Sequence, residues 1–316
     1  IYTTHAGPEL GNAFADVISG KYSPAGRLAQ TWYKSEYELA PIECYDIIEN
    51  DMTYLYYRGK PLYPFGYGLS YAKFEYSDFD VKENGDVISV SLDVTNVSET
   101  DSDEVVQIYF RMENPSVKRP LRQLVAFARE RIECGRTRHF EFDIKKSELR
   151  FYDVSRERFA VEQGRYTFMA GASSEDIRLT KTIDVSGEII PPRELCKGVK
   201  AKNYDGKYGT KMKYSKKLEQ HYMLGGGLIY NNCVLGEADS IEIVCGSRVN
   251  TGKITVRYGG ETLCEAEVKP TVDVTEFETV TAQFDKAVLA GIDREKPAVF
   301  ELWMPEQIYI LGFRTY

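Results

Sequence analysis

Apolar and polar residues alternate along most of the chain beyond residue 75, as they do in β-strands that bury one face. Between about 75 and 190 the clearest alternation lies at 88–94, 106–110, 140–144 and 166–170. Turn-forming residues separate these runs, for example Asn84-Gly85-Asp86. Seven or so short strands in a stretch of this length predict an immunoglobulin-like β-sandwich.

A second stretch of alternation, from about 200 to 316, predicts another β-domain. Its apolar residues alternate at 241–245, 254–258 and 300–304, and the glycine runs 225–227 and 259–260 are predicted turns. A jelly-roll sandwich fits this pattern best. Pro191-Pro192 interrupts the alternation between the two stretches and predicts a stiff linker.

The first 74 residues have a different pattern. Leu10, Phe14 and Ile18 follow the spacing of a helix, Gly20 is a helix stop, and loops rich in proline and glycine follow. Because one helix with loops cannot close a hydrophobic core, we expect this stretch to end an α/β domain that begins before Ile1. The predicted fold class is therefore mainly β, with a short α/β remnant, an immunoglobulin/fibronectin III-like sandwich and a jelly-roll β-sandwich. The predicted parts are 1–74, 75–190, a linker at 191–200, and 201–316.

Composition and charge narrow the classes of function. The 316 residues are 43% hydrophobic and 28% charged, as in globular proteins, and no apolar run approaches the roughly 20 residues of a membrane span. The net charge is −8, and the basic stretch 197–217 is interpreted as a solvated loop, so no nucleic-acid partner is predicted. Six cysteines without a C-x-x-C pair predict neither a metal site nor a disulfide framework. Nucleotide-binding glycine motifs are absent, and no cofactor is predicted.

Three motifs occur in order in the first stretch: GNAFADVISG at 11–20, SPAGRL at 23–28 and PLYPFGYGLSY at 61–71. Together they resemble the end of the second, α/β sandwich domain of family 3 glycoside hydrolases. Prolines and glycines give the last motif an irregular path, and its aromatic residues are predicted to anchor it to an adjoining domain. These aromatic residues are Tyr63, Phe65, Tyr67 and Tyr71. Sugar stacking by one of the tyrosines is the alternative.

The two later stretches resemble domains of other kinds. EVVQIY at 104–109, PLRQL at 120–124 and GASSEDI at 171–177 are similar to the fibronectin type III-like domain of the same family. The last stretch, from AKNY at 201–204 to GFR at 312–314, resembles a family 6 carbohydrate-binding module.

The resemblance to a carbohydrate-binding module suggests candidate sugar-binding aromatic residues. They are Tyr204, Tyr208, Tyr230 and Phe277. The chain departs from the module pattern, since Gly227 stands where a platform tryptophan is usual and 309–311 lacks the usual asparagine. These departures favour a structural role for the last domain over glycan binding.

The family resemblance implies that the parent protein is a retaining, exo-acting β-glycosidase that hydrolyses terminal β-linked sugars with two carboxyl groups. In the family the nucleophile is an aspartate on an N-terminal barrel, and the acid/base is a glutamate upstream of the region matched here. We therefore predict no catalytic residue in this chain, which alone is expected to be inactive. Glu9 and Asp16 are expected to be surface carboxylates, and His5, His139 and His221 have no nucleophile or metal partner at useful spacing.

The sequence gives a weaker indication of whether the parent protein prefers β-xylosides or β-glucosides. Segments 31–33, 45–48 and 52–54 look closer to the β-xylosidase branch than to the β-glucosidase branch, although Met52 stands where an arginine is usual. The predicted partner is the missing N-terminal barrel and α/β domain of the same protein. Three alternative roles stay open for the sandwiches: a module that binds an oligo- or polysaccharide, domains that only brace the rest of the protein, and a homodimer interface. The compartment, bacterial cytoplasm or secretion, also stays open.

Overall fold

The computed structural model describes residues 1–3, 7–271 and 276–316, and these residues are mainly β. They form two compact units, one of residues 1–151 and 160–188 and the other of residues 152–159 and 189–316. His5 lies outside the described residues. Within the described part, no helix has the length and apolar character needed to cross a membrane.

The first unit begins with the predicted helix, α1 (Leu10–Ile18), which ends before Gly20 at a positive φ of 77°. Irregular chain follows, with a short 3-10 helix at Glu36–Glu38 and one turn of helix, α2 (Thr53–Tyr56). No side chain of α1 is fully buried, so this helix lacks a core of its own within the described chain.

Nine strands follow between residues 74 and 185. They are β1 (Phe74–Asn84), β2 (Val87–Asn96), β3 (Ser102–Met112), β4 (Gln123–Ile132), β5 (Thr137–Lys145), β6 (Phe151–Asp153), β7 (Arg158–Ala160), β8 (Gly164–Gly171) and β9 (Ile177–Val185). β1, β2 and β5 form one sheet, and β4, β3, β8 and β9 form a second. β6 and β7 form a two-stranded sheet, and a 3-10 helix at Lys146–Leu149 precedes them.

The sandwich forms because the alternating residues of both sheets point into one core. Ile88, Leu92 and Val94 of β2 are completely buried, as are Val106 and Ile108 of β3. The polar residues between them on β2 are partly exposed, whereas Gln107 of β3 is buried on the other face of its sheet. The predicted seven-stranded sandwich is confirmed.

Residues 152–159, with most of β6 and β7, belong to the second unit, whose other ten strands form one hydrogen-bonded network. They are β10 (Arg193–Glu194), β11 (Val199–Lys200), β12 (Gly206–Tyr208), β13 (Lys211–Ser215), β14 (Gln220–Val234), β15 (Ser240–Ser247), β16 (Gly252–Tyr258), β17 (Glu261–Val268), β18 (Glu278–Gln283) and β19 (Ala298–Thr315). A 3-10 helix lies at Leu195–Lys197 and a short helix, α3, at Lys286–Gly291. β19 pairs with β16 along its first part and with β15 along its second, and the network encloses a main core beside a smaller aromatic cluster around Tyr309.

Two predictions for this unit require correction. The glycines at 225–227, predicted as a turn, lie within β14 at a shift of register against β19. The segment predicted as a linker contains β10 and β11, and Leu195 between them is completely buried in the core of the second unit. By contrast, Gly259 and Gly260 form the predicted turn between β16 and β17.

Candidate functional site

The four predicted sugar-binding residues do not form one site. Tyr230, on β14, is completely buried, and its hydroxyl donates to the carbonyl oxygen of Ala201 at 2.9 Å. Its ring packs against Phe300 and Phe313, and burial raises the pKa of Tyr230. Tyr230 is therefore a core residue, and no face of its ring is open to a ligand.

Tyr204 and Phe277 occupy two further places, both partly buried. Tyr204 packs against the main core of the second unit. Phe277 meets Tyr222 and Tyr309 edge to face, with ring centroids 5.9 and 5.0 Å away. Packing against neighbouring side chains therefore accounts for the positions of both rings.

Tyr208 is the candidate with an open surface. This residue ends β12, and 60% of it is exposed. Its ring lies nearly parallel to that of Trp303 on β19, with an interplanar angle of 15° and centroids 5.7 Å apart. We call Tyr208 and Trp303 the aromatic pair.

Gly227 lies between the two members of the aromatic pair. It is opposite Tyr208 on one side and opposite Trp303 on the other. A Cβ atom at this position would lie 2.7 Å from the indole ring, so only glycine lets Trp303 lie over β14. Trp303 was not among the predicted residues, and a glycine at a strand position is the signal that could have indicated a ring packed over the backbone.

Among the described residues, the deeply buried carboxylates each have an arginine partner. These pairs are Glu104 with Arg27 at 3.1 Å, Glu162 with Arg119 at 3.9 Å, Asp153 with Arg156 at 2.5 Å and Asp205 with Arg193 at 3.2 Å. Burial raises the pKa of Asp205, and the positive charge of Arg193 opposes this rise. The Asp205 carboxylate also accepts a hydrogen bond from the backbone N–H of Asn231 at 2.7 Å. Carboxylates engaged in this way are structural ions rather than a free acid and nucleophile facing a substrate.

In the first unit, residues 61–71, which we call the docking motif, lie against the sandwich. The side-chain amide of Gln107 on β3 donates to the carbonyl oxygens of Gly66 at 3.1 Å and Ala172 at 2.6 Å. The hydroxyl of Tyr109 donates to the Gln107 amide oxygen at 2.6 Å. Because Gln107 is only 3% exposed, these bonds are shielded from water and fix the motif to β3.

A charged contact lies beside this amide contact, on the wall of a cavity of about 490 Å³. Arg27 pairs with Glu104, and the hydroxyl of Tyr76 donates to the other carboxylate oxygen at 2.8 Å. Burial raises the pKa of Glu104, whereas the charge of Arg27 opposes that rise. Both oxygens of Glu104 are occupied, so this residue anchors the segment around Arg27 to the sandwich.

Of the four aromatic residues predicted as anchors, Phe65 takes part in this contact, whereas Tyr63 packs on Trp32 and Tyr67, and Tyr71 donates to the carbonyl oxygen of Val17. Phe65 of the docking motif stacks on Tyr54 with centroids 4.1 Å apart, and Tyr54 meets Tyr109 of β3 edge to face. The hydroxyl of Tyr33 accepts the backbone N–H of Thr53 at 2.7 Å, which joins the 31–33 and 52–54 segments. Thr53 has a φ of 61°, unusual for a β-branched residue, so the surrounding contacts hold its backbone in place.

Comparison with protein families agrees with this arrangement. Residues 1–71 match the model of the glycosyl hydrolase family 3 C-terminal domain, and residues 104–174 match that of the fibronectin type III-like domain. The first unit resembles family 3 glycosyl hydrolases. The docking motif ends the first matched segment, and Gln107 and Glu104 begin the second.

Curated relatives of the family 3 type include enzymes with two activities. Thermostable beta-glucosidase B of Acetivibrio thermocellus is 35% identical over 200 residues, which cover 58% of this chain and 26% of that protein. Xylan 1,4-beta-xylosidase of Xylanibacter ruminicola is 35% identical over 180 residues, covering 56% of this chain and 20% of that protein. The chain spans about a quarter of the length of the curated relatives it matches.

Solved structures give the same result. The beta-D-glucoside glucohydrolase of Trichoderma reesei matches with a TM-score of 0.53 and 29% identity, over 56% of this chain and 29% of that one. Beta-glucosidase 3B of Thermotoga neapolitana, solved with α-D-glucose, matches with a TM-score of 0.53 and 30% identity, over 57% of this chain and 27% of that one. An accessory region of a family 3 enzyme fits these matches.

Proposed function

We propose that the chain is the C-terminal accessory region of a retaining, exo-acting β-glycosidase that hydrolyses terminal β-linked glucosides or xylosides. In this proposal the two catalytic carboxyl groups belong to barrel and α/β domains of the same protein. The curated relatives named above support the substrate class, and the arginine-paired acids of this chain support a non-catalytic role.

The observation that carries the proposal is the uneven distribution of exposed apolar side chains. Of the large apolar residues that are exposed in the described part of the chain, more than half lie within the first 71 residues, less than a quarter of the sequence. Ile18 of α1 is 70% exposed, and Tyr45 and Ile48 in the following loops are also exposed. Apolar surface of this extent is typical of an interface with other protein, here the remainder of the family 3 domain.

The docking motif explains how the sandwich contributes to such an enzyme. The Gln107 and Glu104 contacts fix Gly66 of the docking motif and Arg27 to the sandwich, whose core is filled by buried apolar side chains. The sandwich thus braces the apolar surface that the upstream domains would cover. We infer that its contribution is to stability and assembly, with little effect on the chemical step.

The test uses the complete enzyme and two glutamine substitutions. We expect Gln107→Leu to shorten the half-life of activity at elevated temperature by about tenfold or more, since it weakens the brace. The kcat/KM at low temperature on nitrophenyl β-D-glucoside and β-D-xyloside should stay within about twofold of the parent value. The control is Gln163→Leu, at an exposed position of the same unit, which should change neither quantity. An unchanged half-life for Gln107→Leu, or a large loss of kcat/KM, would contradict the bracing role.

The same pair of substrates addresses the choice between the two activities. We propose a preference for the xyloside because segments 31–33, 45–48 and 52–54 resemble the β-xylosidase branch. The hydrogen bond from the backbone N–H of Thr53 to the Tyr33 hydroxyl brings two of these segments together. A higher kcat/KM on the glucoside would reverse this choice and leave the accessory role unaffected.

A further inference from the structure

The cavity beside the docking motif lies within the first unit and is lined by two parts of that unit. Its volume of about 490 Å³ is in the range of sites that bind small molecules. Residues between 67 and 74 line it together with Arg27. The sandwich contributes Glu104 on β3 and residues between 172 and 178, where β8 connects to β9. A molecule that fills the cavity would therefore contact the docking motif and the sandwich at once.

We propose that this cavity binds a small organic monocarboxylate. Its carboxylate lies beside Arg27, Lys73 and Ser173, and its apolar part lies against Ala72 and Phe74. The proposal goes beyond the accessory role of the chain and does not depend on it. The charges, the hydrogen-bond donors and the apolar residues of the cavity wall each favour this class of ligand.

The charges on the cavity wall favour a ligand with a single negative charge. Both carboxylates on the wall are already engaged. Glu104 accepts a hydrogen bond from Arg27 at 3.1 Å, and the two oxygens of Asp176 accept from Arg178 at 3.3 and 2.9 Å. Lys73 is exposed and has no ion pair in the described chain. Three cations therefore face two acids, and a monoanion balances the remaining positive charge.

Two buried donors on the cavity wall have no acceptor among the described residues. The Arg27 side chain is only 11% exposed, and its Nε has no hydrogen-bond partner within the described part of the chain. Ser173 is 3% exposed, and its hydroxyl oxygen accepts the backbone N–H groups of Glu175 at 3.3 Å and Asp176 at 3.0 Å. Its own O–H has no acceptor in the same described residues. Because an unpaired buried donor lowers stability, an acceptor that enters the cavity is favoured, and a carboxylate brings two charged acceptor oxygens.

Apolar residues of the cavity favour an organic acid over an inorganic anion. Ala72 is buried and Phe74 is partly buried, and Leu69 of the docking motif also lines the cavity. Burial of the hydrocarbon part of a ligand against such residues is favourable, whereas chloride or phosphate has no part of that kind. A ligand that contacts the docking motif and the sandwich together binds the folded first unit and not the unfolded chain. Its binding should therefore stabilise this unit.

The test measures the stability of the first unit in the whole chain as propionate is added. The Trp303→Phe substitution leaves Trp32 as the only indole, and Trp32 lies in the first unit. At a propionate concentration about ten times its Kd, the midpoint of thermal unfolding followed through Trp32 should rise by about 3 °C or more. Sodium chloride keeps the ionic strength constant. Propionamide, which has a similar shape without the charge, should give no rise.

An NMR titration and a matched pair of variants locate the ligand. In spectra selective for arginine Nε–H groups, the Arg27 resonance, assigned from its loss in Arg27→Lys, should shift as propionate is added. Lys73→Met should weaken propionate binding by about fivefold or more, because it removes the unpaired charge. The control is Lys145→Met, at another exposed lysine of the same unit that lies on β5 and outside the cavity, and it should leave the affinity unchanged.

Three results would overturn the proposal. One is an unfolding midpoint that propionate leaves unchanged, or that propionamide or inorganic phosphate raises as strongly as propionate does. Another is equal propionate affinity in the Lys73→Met and Lys145→Met variants. The third is an Arg27 resonance that stays in place while propionate binds, which would put the ligand elsewhere. Because Lys73 is exposed, its substitution should not unfold the protein, which far-UV circular dichroism can check.

Discussion

Replacement of Gln107 by leucine tests the contact between the docking motif and the sandwich. The side chain makes three buried hydrogen bonds, to Gly66, to Ala172 and from Tyr109. At about 1 kcal/mol of net stability for each bond, their loss should lower the free energy of unfolding by about 3 kcal/mol. Leucine has a similar volume, so a large cavity should not add to this cost.

Urea unfolding followed through Trp32 measures this change in the first unit. Trp32 contacts Tyr63 of the docking motif, with ring centroids 6.0 Å apart, and Trp303→Phe removes the other indole. For a denaturant slope of about 2 kcal/mol per molar urea, the midpoint should fall by about 1.5 M. The same experiment on the exposed Gln163→Leu variant should show a shift close to zero. Equal midpoints for the two variants would refute the inference that Gln107 fixes the motif.

Three further predictions concern sterics, pH and thiol reactivity. A Cβ at Gly68 would overlap the carbonyl oxygen of Gly26, so Gly68→Ala should lower the free energy of unfolding by about 2 kcal/mol in the same urea experiment. Gly11→Ala should not lower it, because there is open space around Gly11. Hydrogen bonding to Lys181 lowers the pKa of Asp80 from 3.8 to about 2. The ionised Asp80 therefore stabilises the fold above pH 3.8, and this stabilisation is lost as the pH falls towards 2. An NMR titration of the Lys181→Met variant should show a higher pKa for Asp80. A thiol-reactive dye should label three cysteines rapidly in the native protein and all six after unfolding, and rapid native labelling of all six would contradict the buried packing. The three exposed thiols are Cys44, Cys134 and Cys196.

The strands of both units could be predicted because alternation directly reflects burial. The residues at 88–94 and 241–245 that alternate in the sequence are those that fill the two cores. Helix α1 was predicted for the same reason, since its apolar spacing and Gly20 are local signals. These features needed no knowledge of distant contacts.

Features that depend on a distant partner were missed or misjudged. Glycines usually mark turns, yet Gly227 lies in a strand because Trp303, far along the chain, packs over it. Tyr208 and Tyr230 were both candidates for sugar binding, and only the folded sheets show that one faces solvent and the other the core. Gln107 was noted as part of a motif, but its two carbonyl partners could not be identified without the fold.

We propose that these 316 residues support glycoside hydrolysis without performing it, since the deeply buried carboxylates of the described residues are paired with arginines. The most direct test is a hydrolysis assay of the purified chain on nitrophenyl β-D-glucoside and β-D-xyloside. We predict release of nitrophenol no faster than in buffer alone on both substrates. Turnover that copurifies with the chain and disappears in a variant of one of its own carboxylates would contradict the account.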